Sequence, residues 1–346
     1  MTLTTVGKAA RMYAANSPLK VEDVEFPNPG PSEVLVRIKA SGLCFSDVHA
    51  LKGELPPTSL PLTLGHEGAG IIEMCGRSVR GFRKGQRVVI DYVNSCGKCE
   101  YCRSGRDNLC SNAKLFGFDV NGSFAEYALV PARSLVKLSS NIPFDQGAVL
   151  GCAASTPYHA FKRAGLKKNQ TAALIGIGGV GYHAALLSKM IGAKFAAVDI
   201  SEQQLARTKE IGADLVVNSA SRDPVTQVRA WTNQSGVDAA FDFVGSTQTI
   251  KEAVSMVKKG GVAVLVGITP GQIQLDSLDF LLREVELVTS IDHSHGDLVA
   301  IERLVSRGKL DLSKSITHRL PLDQINDGFR VLQEKTDNPI RVAVVQ

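Results

Sequence analysis

Cys44, His66 and the polar residues around them are of the types that hold a metal ion and move a proton. The first segment reads Cys44-Phe45-Ser46-Asp47-Val48-His49, and further on comes Gly65-His66-Glu67-Gly68. Thiolate and imidazole are the ligands zinc prefers, and a catalytic zinc keeps three protein ligands with a fourth position open to water or substrate. Cys44 and His66 supply two of the three. Asp47 and Glu67 are close enough in sequence to support them, because a metal-bound histidine needs an acceptor on its other nitrogen to fix its tautomer. Ser46 and His49 fit a proton relay, or else a turn residue and a surface histidine.

A second cluster is denser. Cys96, Cys99, Cys102 and Cys110 follow the spacing C-x2-C-x2-C-x7-C. Four thiolates form a closed tetrahedral set with no open position, which is what a structural zinc requires. An iron-sulfur cluster would favour a third gap of three residues and a proline after the last cysteine, and neither is present. The third ligand of the first site must come from elsewhere. Gly151-Cys152 is the best candidate, although a lone free cysteine is as often a small buried hydrophobe.

A third motif binds a different kind of group. The strand-like Thr171-Ala-Ala-Leu-Ile175 runs into Gly176-Ile177-Gly178-Gly179-Val180-Gly181, a helical stretch follows, and a second strand-like run ends at Asp199. A G-x-G-x-x-G between a strand and a helix, with an acid 23 residues after its first glycine, is a dinucleotide fingerprint. The glycines permit the turn and the approach of the pyrophosphate, which the helix N-terminus favours. Asp199 would accept hydrogen bonds from a ribose and repel a 2'-phosphate, so NAD is expected rather than NADP.

The elements that must position these residues are legible in outline. Residues 21–40 and several later runs have the period of half-buried strands, with Val34, Val36, Ile38 and Ala40 alternating against Leu35, Arg37 and Lys39. From Thr171 onward strands alternate with helices, six strands in all, which predicts a Rossmann doubly wound parallel sheet. Ser201 and Asp223-Pro224 read as helix starts. The Gly260-Gly261 pair reads as a helix stop, and Arg341-Val342-Ala343-Val344-Val345 as a last strand rejoining the first domain. The fold class is therefore α/β, in three stretches: a β-rich domain over 1–153, a nucleotide domain over 154–290, and a return to the first domain over 291–346.

Length and composition agree with two globular domains. The chain has 346 residues, 44% hydrophobic and 21% charged, with a formal charge of +5 and no basic blocks, so neither nucleic acid nor a membrane surface is expected as a partner. The opening residues lack the apolar core of an export signal, and no apolar run is long enough to span a bilayer. Seven cysteines in such a chain argue for metal or free thiols, and a cytoplasmic location is expected.

Along essentially its whole length the chain resembles the zinc-dependent medium-chain alcohol dehydrogenases, of the short microbial type. The matching features are the Cys-x-Ser-Asp-x-His segment, Gly-His-Glu, the four-cysteine lobe, Gly-Cys before Ser155-Thr156-Pro157-Tyr158, and the glycine loop with its later Asp. The resemblance implies a GroES-like catalytic domain and two zinc ions per chain. Cys44, His66 and Cys152 would hold the catalytic zinc, with Glu67 able to approach it. Asp47 would orient His66, and Ser46 and His49 would carry the proton outward. Thr156 and Val180 match positions beside the nicotinamide, and Arg341 a position meeting the pyrophosphate. The implied reaction is reversible hydride transfer between an alcohol and NAD+, giving an aldehyde or ketone. Homo-oligomers, tetramers above all, are common among similar chains. A polyol, amino-alcohol or acyl-thioester-linked alcohol dehydrogenase would use the same metal chemistry, and a non-enzymatic zinc-dependent protein would need only the four-cysteine lobe. Three departures stand out. Phe45 replaces an Arg or His that faces the pyrophosphate in many relatives, Asp91-Tyr92 replaces Pro-Trp at the substrate pocket, and Ile-Asp-His-Ser-His over 291–295 replaces a Gly and Arg. Its two histidines are expected to be solvated loop residues.

Overall fold

The computed structural model describes residues 4–269 and 271–346; the first three residues of the stretch scanned for an export signal lie outside them. The chain forms two units, Met1–Ser155 with His293–Gln346, and Thr156–Asp292. The breaks fall two residues beyond the expected ones.

The first unit is β-rich. Its larger sheet runs in the order Leu135–Lys137, Arg87–Ile90, Glu67–Cys75, Glu33–Leu43, Arg341–Val345 and Ile316–Leu320, with Tyr127–Pro131 pairing onto Glu33–Leu43 as a seventh strand. Thr5–Met12 joins Lys20–Phe26 and Leu62–Thr63 in a three-stranded sheet. Glu33–Leu43 is the hub, antiparallel to Glu67–Cys75, Tyr127–Pro131 and Arg341–Val345. That centrality corrects the half-buried reading of this strand. Leu35 is as buried as Val34 and Val36, because apolar groups cover both faces of its N-terminal half. The helix Ile325–Glu334 buries Ile325, Phe329 and Leu332 with Leu43, Phe124 and Val342.

The second unit carries a six-stranded parallel sheet ordered Leu215–Asn218, Lys194–Asp199, Thr171–Ile175, Val237–Asp242, Val257–Leu265, Glu286–Thr289. In sequence this is strand order 3-2-1-4-5-6, so the order reverses beside the glycine-rich loop, where doubly wound sheets bind their ligands. Small and branched residues such as Ala173, Ala196, Val198, Ala240 and Ala263 fill its core, as expected of strands covered on both faces. The fifth strand differs from expectation. It begins at Val257 rather than after Gly260-Gly261, since the helix Thr247–Met256 ends earlier and Gly260, at φ 66°, bends the strand instead of stopping the helix. No helix among the described residues is long and apolar enough to cross a membrane.

Candidate metal and cofactor sites

Cys44 is the N-cap of the short helix Phe45–Leu51, and Asp47 locks it there: one carboxylate oxygen accepts the Cys44 N–H at 3.0 Å. The other oxygen of Asp47 lies 3.2 Å from His66 Nδ1. One carboxylate thus fixes both the thiol-bearing turn and the imidazole, leaving Nε2 of His66 for a metal. His66 and Glu67 enter the strand Glu67–Cys75, and Ser123 Oγ donates at 3.0 Å to the Gly65 carbonyl just before them. Cys152 comes from a π-helical turn, Leu150–Ala154, set between the helices Phe144–Val149 and Ser155–Ala164. Such wide turns recur at functional sites because they re-aim one side chain without ending the helix.

These elements bring together Cys44, His66, Glu67 and Cys152, whose ligand atoms all lie within 4.8 Å of one another and which are all buried. Of the two fates open to Cys152 from sequence, the structure places it in the cluster. The electrostatics suit a cation. A hydrogen bond with Cys152 holds the Cys44 thiol well below its ordinary pKa against the cost of burial, and the same bond together with burial pushes Cys152 up. Burial pulls the His66 pKa down, but the charge and hydrogen bond of Asp47 raise it well above the usual value. A divalent ion would let both thiolates ionise at once, as metal binding does by displacing protons. Burial pushes Glu67 up, to about 7, against the pull of Arg341. Its Oε1 is buried without a hydrogen-bond partner, which fits a group facing a metal.

Arg341, expected to meet the pyrophosphate, is 3% exposed, with its guanidinium engaged by Glu67 Oε2 and its Nε buried without a hydrogen-bond partner. Ser46 Oγ lies 3.8 Å from Cys44 Sγ. His49 is partly exposed and paired through Nδ1 with Glu54, an acid the sequence reading overlooked. Phe45 is exposed. The histidines of the 291–295 segment are not solvated loop residues: His293 is fully buried and His295, which opens the helix His295–Ser306, is partly buried. Buried Asp91 lies against both, and no local pattern announces a partner so far away in sequence.

Cys96, Cys99, Cys102 and Cys110 likewise have their ligand atoms within 4.8 Å of one another. Backbone N–H groups of Lys98 and Cys99 lower the Cys96 thiol to about 6, while burial raises Cys110 to about 11. Amide donors aimed at sulfur, such as Gly97 N–H to Cys102 Sγ at 3.2 Å, are the support a thiolate needs. The four residues fit a structural metal.

In the second unit the glycine loop is shaped for a phosphate. Gly176 has φ 86°, which only glycine adopts without strain. A Cβ at Gly181 would strike the Gly176 carbonyl, whereas one at Gly178 would meet open space, the approach a pyrophosphate needs. Gly179 and Val180 begin the helix Gly179–Ile191. Asp199 ends its strand with one oxygen accepting the Ile177 N–H at 2.6 Å and the other the Ser201 N–H at 2.8 Å. Thr156 is buried at the start of the helix Ser155–Ala164.

A doubly wound nucleotide unit in one chain with a β-rich unit that carries an open Cys-His-Cys set defines a metal-dependent dehydrogenase. Comparison with known proteins agrees. Residues 30–140 match the alcohol dehydrogenase GroES-like domain and residues 179–307 the zinc-binding dehydrogenase domain. An alcohol dehydrogenase of Geobacillus stearothermophilus is 38% identical over 93% of this chain and 95% of that protein. An NAD-dependent alcohol dehydrogenase of Sulfurisphaera tokodaii is 33% identical over 94% and 96%. The crystal structure of the Aeropyrum pernix alcohol dehydrogenase superposes with a TM-score of 0.90 at 33% identity, covering 98% of this chain and all of that one. The chain belongs to the zinc-dependent medium-chain alcohol dehydrogenase family and is an oxidoreductase.

Proposed function

We propose that the protein is an NAD-dependent zinc alcohol dehydrogenase, catalysing reversible hydride transfer between an alcohol and NAD+ to give an aldehyde or ketone. The observation that carries this reading is the convergence of Cys44, His66 and Cys152, with Glu67 beside them, into one buried donor set. When bound, zinc supplies Lewis-acid acidification of the alcohol and NAD+ supplies the hydride acceptor.

The chain's own residues do the rest. Cys44, His66 and Cys152 hold the catalytic ion, and Asp47 fixes the His66 tautomer. Ser46 takes the alcohol proton and His49, paired with Glu54 and open to solvent, releases it. Glu67 stands by as an alternative ligand, kept from wandering by Arg341. Gly176, Gly178, Gly179 and Gly181 cradle the pyrophosphate, Asp199 binds the adenosine ribose, and Thr156 and Val180 lie beside the nicotinamide. Cys96, Cys99, Cys102 and Cys110 hold a second, structural zinc. A cytoplasmic location is supported by seven cysteines, none of them joined in a disulfide. Assembly into a homo-oligomer, with a tetramer favoured, is supported by exposed Leu278, Leu281 and Leu282 near the edge strand Glu286–Thr289; no nucleic-acid or membrane partner is proposed.

Metal analysis together with a panel of primary, secondary, cyclic and aromatic alcohols, followed by NADH absorbance, tests the reading. Two zinc ions per chain and NADH formation with at least one alcohol are expected. One zinc per chain and no turnover would favour a zinc-dependent protein without this activity.

A further inference from the structure

Two stretches that depart from the family pattern, Asp91-Tyr92 and His293-Ser294-His295, meet inside the first unit. Asp91 is 1% exposed. Its Oδ1 accepts the Val93 N–H at 3.1 Å and lies 3.6 Å from His293 Nε2, while Oδ2 lies 3.0 Å from His295 Nδ1. The His295 N–H donates at 3.1 Å to Asp107, which belongs to the four-cysteine lobe, and Ser294 forms a capping box with Asp297. Residues 293–295 are therefore fastened from three directions. The His293 ring, with no solvent exposure, meets Tyr92 edge-on with centroids 5.7 Å apart. Tyr92 in turn meets the ligand imidazole of His66 edge-on at 5.2 Å, and Phe118 contacts the same imidazole at 5.3 Å.

We infer that Asp91 and His293 are positioning residues for substrate selection. They back Tyr92, and Tyr92, pressed against His66, sets the room left beside the metal for the substituents on the carbinol carbon. This rests on the alcohol dehydrogenase reading. The physical ground is close packing: a buried ring has no slack behind it, and deleting it leaves space that only a neighbouring side chain can fill. With His293 removed, Tyr92 can lean away from His66. Apolar pockets discriminate by about 10- to 200-fold per methylene of fit, so even a modest retreat of one ring is measurable.

The test compares ethanol with 1-phenylethanol in wild type, His293→Ala, His293→Phe and Asp91→Asn, each checked for zinc content and circular dichroism. In His293→Ala the ratio of kcat/KM for 1-phenylethanol over ethanol should rise by about tenfold, chiefly through KM. His293→Phe keeps a ring behind Tyr92 and should hold the ratio near the wild-type value. Asp91→Asn keeps the volume and the Val93 contact but loses the carboxylate, so it should move the ratio in the same direction by less, and it carries the test should His293→Ala fail to fold. A crystal structure of the variant that folds should show Tyr92 displaced from its 5.2 Å contact with His66. An unchanged ratio, equal loss on both alcohols, or an undisplaced Tyr92 overturns the inference. Should the wild type oxidise neither of these two alcohols, the Tyr92 displacement alone decides this inference, and the proposed function is judged on the full alcohol panel.

Discussion

A methyl group at position 42 would land on the Glu67 carboxylate, and that carboxylate has nowhere to go. Gly42 pairs across the sheet with Glu67, an ideal Cβ there falls on Oε2, and Glu67 is fully buried and held by Arg341. Gly42→Ala is therefore expected to push Glu67 out of the donor cluster and lower kcat by about 10- to 100-fold, the usual cost of disturbing a metal's supporting groups. Stopped-flow turnover and zinc retention measure it, and an unchanged kcat would mean that Glu67 has no part in the reaction. Residues of this kind divide what sequence can reveal from what it cannot. Cys44 and His66 were readable because their types and short separation already spell metal chemistry, as were the four clustered cysteines. The pairing of Glu67 with Arg341 spans 274 residues, and that of Asp91 with His295 spans 204. Their identities carry no mark of each other, and only the completed sheet makes them neighbours.

The helix His295–Ser306 begins with a histidine, which is the wrong sign for its N-terminus if protonated, because that end carries positive partial charge. Acids reverse the balance. Burial alone would lower the His295 pKa, but the hydrogen bond and charge of Asp91, helped by Asp107 and opposed weakly by Arg133, raise it above 6.5. A histidine whose folded pKa is raised contributes stability that is fully present below its unfolded value and is lost as pH rises through the folded one. The Tm difference between wild type and His295→Gln should therefore be largest below pH 6.5 and shrink as the pH climbs. A difference that grows with pH would show that the imidazolium is not what Asp91 and Asp107 hold. At this scale the sequence was a fair guide where caps and periods are local. Ser201 accepts from the Gln204 N–H, and Asp223 with Pro224 starts its helix. It was a poor guide to the π-helical turn carrying Cys152, which differs from an α-helix only in hydrogen-bond register and leaves the apolar pattern unchanged.

Across the whole molecule, two donor clusters that could each hold a metal ion, with different surroundings, should separate function from stability. The Cys44, His66 and Cys152 set is buried in the first unit, where Cys44 and Cys152 pack among Val36, Ile38, Ile90 and Phe116, whereas the lobe carrying Cys96 to Cys110 holds only short elements, such as the helix Glu100–Arg103 with no buried residue. Cys44→Ser is expected to abolish turnover with little change in Tm. Cys99→Ser should lower Tm and release one zinc, since structural sites contribute on the order of 10 kcal/mol in isolated finger peptides. Thermal unfolding followed by circular dichroism, alongside NADH formation, reads both, and an equal loss of fold in the two variants would erase the distinction. The six-stranded sheet and the glycine loop were legible because alternating strands and helices write their order into the chain. The first unit was harder, since its hub strand takes partners from as far downstream as Tyr127–Pro131 and Arg341–Val345. That interleaving has a consequence for biosynthesis. The ribosome must finish the entire inserted nucleotide unit before Arg341–Val345 emerges to fill its place between Glu33–Leu43 and Ile316–Leu320. At about 5 to 20 residues per second, a nascent chain spends many seconds with its thiols already made and the arginine that steadies Glu67 still untranslated, so premature oxidation or miscoordination in that interval is the hazard this architecture leaves to chaperones and to the timing of zinc delivery.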